Sequence, residues 1–139
     1  MNVKRYVGVI VKYGDKFLIC KRNDESLGQG EWSIPAGKVE DGEKVEISAR
    51  REFFEETAIN INNYELKFVG LIPRHTRDGS KMKGLMYTYI IDVDKQLIPD
   101  LEEAIDGHEH TECGYYTLNE MKNMKMSVFL YKLFEFISN

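Results

Sequence analysis

Residues 37–59 read GKVEDGEKVEISARREFFEETAI, and the second half of this stretch puts three glutamates on one predicted helix. At about 100° of rotation per residue, Glu55 and Glu56 lie on either side of Glu52, so all three face one way. Like charges at this spacing repel each other, and near the C-terminal end of a helix they also oppose the macrodipole. A divalent cation bound by the carboxylates would offset both effects. The alternative to a metal site is an ordinary acidic face exposed to solvent.

The residues before the helix favour the metal site. Gly37 and Gly42 permit a tight loop with close backbone approach, and Glu43 follows near the predicted helix start, where the dipole favours an acid. Five residues separate Gly37 from Glu43, and seven separate Glu43 from Arg51. Glycine, acid, arginine and three carboxylates at fixed spacing are too specific a pattern for an ordinary acidic surface.

This pattern resembles the Nudix box, G-x5-E-x7-R-E-U-x-E-E-x-G-U, in which U is a bulky apolar residue. The matching residues are Gly37, Glu43, Arg51, Glu52, Phe53, Glu55, Glu56 and Ile59. Ala58 replaces the usual glycine, whose left-handed cap conformation costs other residues about 1–2 kcal/mol. The helix therefore either continues through Ala58 or ends there in a strained turn.

The resemblance implies an α+β fold, a Nudix-like α/β/α sandwich with a mixed β-sheet and a loop-helix-loop catalytic motif. It implies an Mg²⁺-dependent pyrophosphohydrolase, with Mn²⁺ as a possible substitute. The expected substrate is an ADP-ribose-like nucleoside diphosphate linked to another moiety, or a (d)NTP. The alternative is a non-catalytic nucleotide-sensing or regulatory module on the same fold, and retention of all three glutamates favours the enzyme. A homodimer is an expectation at the level of the family.

The resemblance also implies roles for the residues of the motif. Glu52 and Glu56 are expected to bind the metal directly, Glu55 directly or through water, and Ala36 through its carbonyl oxygen. Arg51 belongs to the catalytic motif, but we expect it to act structurally, in an ion pair with Glu43 that ties the Gly37 loop to the helix.

A general base outside the box is common in such proteins, and the acidic segment 106–112 is the candidate. Glu109 is our first choice and Glu112 the second, and solvated loop acids are the alternative for both. His108 and His110 lie in the same segment. We interpret this H-x-H pair, in what reads as an exposed loop without a third ligand, as incidental.

Five potentially positive residues lie between two predicted strands: Arg74, His75, Arg77, Lys81 and Lys83. Arg74 and Arg77 are our candidates for binding a distal phosphate of the substrate. A solvated hairpin loop is the alternative, because lysine and arginine are ordinary surface residues.

Composition predicts one small domain over residues 1–139, with 42% hydrophobic residues and a net charge of −4. The acidic balance makes nucleic acid an unlikely partner, and the lack of an apolar run of about 18 residues argues against a membrane span. Because no signal-peptide pattern opens the chain, we expect a cytoplasmic protein, and we expect Cys20 and Cys113 to be reduced thiols.

Periodicity and turn residues predict the remaining elements. We expect a hairpin from Tyr6 to Cys20, strands over 65–72, 85–93 and 114–118, a box helix over about 43–57 and a closing helix over 124–137. In the closing helix the predicted buried stripe is Val128, Tyr131, Phe134 and Ile137.

Overall fold

The computed structural model describes residues 3–23, 30–76 and 78–138. Its strands are β1 (Lys4–Tyr13), β2 (Lys16–Arg22), β3 (Trp32–Ser33), β4 (Ala36–Lys38), β5 (Lys67–His75), β6 (Met82–Val93) and β7 (His110–Thr117). Its α-helices are α1 (Val45–Thr57), α2 (Leu118–Met121) and α3 (Val128–Ser138), and a short 3-10 turn covers Gly107–Glu109. The predicted hairpin, box helix, three later strands and closing helix are all present.

The strands form a mixed sheet, as the family resemblance implied. Its order is β3-β2-β1-β6-β5, while β4 also pairs with β1 and β7 with β2. The pairing of β1 with β6 is parallel from Lys4 opposite Gly84 to Tyr13 opposite Val93, whereas the other pairings are antiparallel. Strand β1 is therefore the centre of the sheet, with neighbours from both halves of the chain.

Strand β1 is buried on both faces because its side chains alternate between two cores. Val7, Val9 and Val11 pack in one cluster with Ala49 and Phe53 of α1. On the opposite face, Tyr6 and Ile10 share a second cluster with Leu130 and Leu133 of α3. Helix α1 thus covers one face of the sheet and α3 the other, which confirms the α/β/α sandwich.

Helix α1 ends at the alanine that departs from the box pattern. Ala58 adopts the left-handed conformation, with φ 62° and ψ 18°, and its N–H donates to the Phe54 carbonyl at 2.8 Å. The helix therefore stops in a strained turn instead of continuing. Among the described residues, Ala58 is the one non-glycine with a positive φ.

Helix α3 packs with a stripe that matches the predicted one only in part, since Phe134 and Ile137 contact the core. Val128 and Tyr131 are 46% and 57% exposed, whereas Leu130 and Leu133 are fully buried. Apolar residues occur on nearly every side of this helix, so periodicity alone could not select the face that meets the sheet.

The prediction of two reduced thiols is wrong. Cys20 of β2 and Cys113 of β7 lie directly opposite each other in the antiparallel register, and they form a disulfide. Their separation of 93 residues hid this proximity from the sequence. Disulfides are uncommon in cytoplasmic proteins, so this link is unusual for the predicted cytoplasmic location. Over the described ranges, none of the helices has the length and apolarity needed to cross a membrane.

Candidate active site

Arg51 joins the loop before α1 to the acidic face of the helix. Its Nε and Nη2 donate to the two carboxylate oxygens of Glu43 at 2.9 and 3.0 Å, and its Nη1 donates to Glu52 and Glu55 at 3.1 Å. Such two-pronged, charge-assisted pairs hold both groups in a fixed orientation. The expected Glu43–Arg51 ion pair is present, and Arg51 also offsets part of the repulsion between the helix carboxylates.

Glu43 has a second partner that the sequence analysis missed, the buried hydroxyl of Ser48, which donates to it. The hydrogen bonds from Arg51 and then from Ser48 lower the pKa of Glu43 to about 2. Glu43 is thus a permanent anion at neutral pH. It anchors the loop to the first turns of α1.

Gly37 is required by the position of Glu52. A Cβ atom at residue 37 would lie 2.0 Å from the Glu52 carboxylate oxygen Oε2, so any larger residue would displace that carboxylate. Burial raises the pKa of Glu52, and the neighbouring Arg51 opposes this shift. The Glu52 carboxylate therefore lies against the backbone of the Gly37 loop, in a cleft that Ala36 also lines.

Glu56 is the most deeply buried of the three helix carboxylates, with 2% of its surface exposed. Its Oε1 lies 2.9 Å from Nε2 of His110. Within the described ranges, Oε2 of Glu56 and Nδ1 of His110 have no hydrogen-bond partner. Burial first, and then the nearby Glu109, raises the pKa of Glu56 to about 9. An ionised Glu56 at neutral pH needs a cation beside it, so the buried, unpaired oxygen fits a divalent metal ion.

The segment before β7 is fixed to the end of α1 by backbone hydrogen bonds. The last carbonyls of a helix lack intrahelical partners. Here Thr57 accepts from the N–H of Asp100 at 2.9 Å, and Glu55 accepts from the N–H of Asp106 at 2.7 Å. The 3-10 turn that follows delivers Glu109 and His110 to Glu56. One ligand atom from each of these three residues lies within 4.8 Å of the others.

These contacts show which of the residues predicted in segment 106–112 lie in the site and which do not. Glu109 lines the cleft beside Ala36 and Gly37, whereas Glu112 is exposed on β7 opposite Lys21. His110 is buried in the site and is not part of an exposed loop, so the interpretation of the H-x-H pair is wrong for this residue. His108 is exposed, as expected. No local pattern distinguishes the two histidines, because the partner of His110 is 54 residues away.

A cleft of about 480 Å³ runs from Glu56 and Glu109 past β5 toward α3. Cationic side chains line much of it, namely Lys4, Arg22, Lys38, Arg74, Lys83 and Lys132. The guanidinium of Arg74 lies 4.6 Å from the centre of the Tyr6 ring, a cation–π contact that the sequence analysis missed. Burial lowers the pKa of Arg74 from its ordinary value, and the group stays charged. Arg77 lies outside the described residues.

Comparisons with known proteins identify the family. The model of the NUDIX domain family matches residues 3–136. The uncharacterized Nudix hydrolase YvcI of Bacillus subtilis (strain 168) is 28% identical over 127 residues, which cover 90% of this chain and 73% of the relative.

Two solved structures illustrate the shared fold. The MutT NUDIX hydrolase from Burkholderia pseudomallei has a TM-score of 0.80 at 18% identity and covers 99% of each chain. The NUDIX domain of Shewanella oneidensis NrtR, complexed with ADP ribose, has a TM-score of 0.74 at 17% identity and covers 99% of this chain and 88% of that one.

Proposed function

The chain belongs to the NUDIX family and is a hydrolase of acid anhydrides in phosphorus-containing compounds, and we propose that it is an Mg²⁺-dependent pyrophosphohydrolase of nucleotides. The proposed substrate is a nucleoside diphosphate linked to another moiety, of the ADP-ribose kind, or a (d)NTP. The observation that carries the proposal is the buried Glu56 carboxylate, which has one oxygen without a partner among the described residues and lies near Glu109 in a cation-lined cleft.

The residues that would hold the metal are Glu52 and Glu56, with Glu55 directly or through water and Ala36 through its carbonyl oxygen. When bound, Mg²⁺ supplies charge neutralisation on the phosphoryl oxygens and lowers the pKa of a coordinated water, and Mn²⁺ can replace it. Arg51 keeps Glu52 and Glu55 oriented through its hydrogen bonds, so we propose a positioning role for Arg51.

Glu109 is the proposed general base. Its carboxylate lines the cleft beside the metal-binding carboxylates, and burial raises its pKa. A carboxylate with a raised pKa accepts a proton from an attacking water more readily than an ordinary one. The anchored segment 100–109 gives the base a fixed position relative to the end of α1.

Arg74 is the proposed contact to a phosphate group of the substrate, and Arg77 is a second candidate for the same role. Stacking on Tyr6 holds the Arg74 guanidinium in the cleft, so little side-chain entropy is lost when it binds an anion. The solved relative with bound ADP ribose makes this class of ligand the first to test.

The test is a substrate panel assayed with Mg²⁺ and with Mn²⁺, comprising ADP-ribose, dinucleoside polyphosphates, nucleotide sugars, NTPs and dNTPs. We expect Glu56→Gln to abolish turnover. The matched control Glu46→Gln, an exposed acid in the first turn of the same helix, should leave turnover unchanged. Turnover of no substrate, or turnover that survives Glu56→Gln, would reject the proposal. Binding without turnover would instead support the nucleotide-sensing module.

We also propose a homodimer. Strand β5 is the edge of the sheet, and its Phe68 and Leu71 are 56% and 44% exposed. An apolar sheet edge is a common surface for self-association. Sedimentation of the wild type and of Phe68→Ser tests this, since a monomeric wild type would rule it out.

A further inference from the structure

We propose that His110 is a nitrogen ligand of the cation that binds at Glu56. Compared with a site of oxygen ligands alone, such a site binds borderline divalent ions such as Co²⁺ and Ni²⁺ more tightly relative to Mg²⁺. This inference rests on the proposed function, because both use a metal ion at Glu56. It adds a ligand from β7 to the carboxylates of α1.

The distances fit ligands of one ion. Two neighbouring ligands of an octahedral ion with bonds of about 2.1 Å lie about 3.0 Å apart, and opposite ligands lie about 4.2 Å apart. Nε2 of His110 and Oε1 of Glu56 are 2.9 Å apart, which is the separation of two neighbouring ligands.

The burial of these groups points to a ligand beyond the hydrogen bond between them. The side chains of His110 and Glu56 are 5% and 3% exposed. Their single hydrogen bond leaves Oε2 of Glu56 and Nδ1 of His110 without partners among the described residues. An unpaired oxygen on so deeply buried a carboxylate leaves much of its charge uncompensated, and a cation bound at Glu56 would offset that charge.

The chemistry of the donor set gives the selectivity. Imidazole nitrogen binds Fe, Ni, Cu and Zn ions well, whereas Mg²⁺ strongly prefers oxygen. Loss of the imidazole should therefore weaken Ni²⁺ binding much more than Mg²⁺ binding. A histidine that only orients Glu56 through a hydrogen bond would affect both ions alike.

The decisive experiment uses the three histidines of the chain, which are His75, His108 and His110. In the tag-free double variant His75→Gln/His108→Gln, His110 is the sole histidine. We expect pulsed electron paramagnetic resonance of this variant with bound Mn²⁺ to show coupling to an imidazole nitrogen. The further substitution His110→Gln should abolish the coupling. Bound Mn²⁺ without nitrogen coupling in the double variant would overturn the inference, and so would coupling that persists without His110.

Calorimetry provides a second readout. We expect His110→Gln to weaken Ni²⁺ binding by about 10–100-fold and Mg²⁺ binding by less than about threefold. The control His108→Gln, at an exposed position, should change neither. Equal weakening of both ions would overturn the inference in favour of a positioning role. If His110→Gln does not fold, the signal from the double variant still decides.

Failure of this inference is distinct from failure of the proposed function. Hydrolysis in the Mg²⁺ panel without nitrogen coupling would retain the hydrolase and remove His110 from its ligands. Nitrogen coupling without hydrolysis of any substrate would retain His110 as a ligand and reject the hydrolase. If no metal ion binds, both are rejected.

Discussion

Oε1 of Glu56 and Nε2 of His110 lie 2.9 Å apart, although 54 residues separate them in the chain. Glu56 belongs to the motif helix α1, and His110 is the first residue of β7. The candidate site is therefore larger than the motif that reveals it, because a second segment of the chain completes it.

Glu109→Gln should reduce kcat by about 10²–10⁴-fold, because the amide cannot accept the proton of the attacking water. Steady-state kinetics on the best substrate of the panel measures this. The matched control is Glu112→Gln, at an exposed position on β7, which we expect to change kcat by less than about threefold. A loss below about 10-fold for Glu109→Gln would remove Glu109 from the role of base.

Ala58→Gly should stabilise the protein by about 1 kcal/mol, because glycine adopts the left-handed conformation without steric cost. Chemical denaturation measures the free energy of unfolding. Ala49→Gly, in the buried interior of the same helix, should have the opposite sign and cost about 1 kcal/mol or more. A destabilised Ala58→Gly variant would mean that the cap is not strained.

Glu43→Gln should destabilise the protein at neutral pH and have little effect in acid. The pKa of Glu43 is lowered from 4.5 to about 2 in the folded state, so its contribution to stability is complete above 4.5 and disappears as the pH falls toward 2. Melting temperatures of the wild type and the variant should therefore approach each other as the pH falls from about 5 to about 2.

Glu40→Gln is the control for this pH experiment. Its carboxylate is 71% exposed and 3.8 Å from Arg51, so the variant should melt like the wild type throughout. A gap between Glu43→Gln and wild type that persists unchanged in acid would show that the Arg51 ion pair does not set the pH dependence.

Arg74→Gln should raise KM about 10-fold or more and change kcat little, because it removes a charged contact to a non-reacting phosphate. Lys67→Gln is the control, since Lys67 pairs with Asp92 at an exposed position on the same strand. An unchanged KM, or a loss of activity that appears only in kcat, would contradict substrate binding by Arg74.

Local patterns were sufficient to predict α1 and the hairpin of β1 and β2. The box combines two loop glycines, an acid near the helix start and three glutamates at fixed spacing within 23 residues, and all of these act over short distances. The family resemblance that this spacing carries implied the ion pair between Glu43 and Arg51. These parts of the site are readable because the residues that interact are close in sequence.

Long-range contacts limited the remaining predictions. His110 is distinguished from His108 by burial against a residue on another element, and Cys20 meets Cys113 through the pairing of β2 with β7. In α3 the sheet selects Leu130 and Leu133 from a helix with several apolar sides. Such choices depend on tertiary packing, which no local pattern encodes.

The hydrogen bonds from Asp100 and Asp106 to the last turn of α1 make the length of the β6–β7 connection critical. Surface connections commonly tolerate added residues. Here an insertion between Asp100 and Asp106 would shift the two amide groups out of register with their carbonyls and move Glu109 away from Glu56. An insertion between the exposed Asp94 and Lys95, before the first anchored residue, would leave this register intact. Natural variation in length should therefore be confined to the start of the connection.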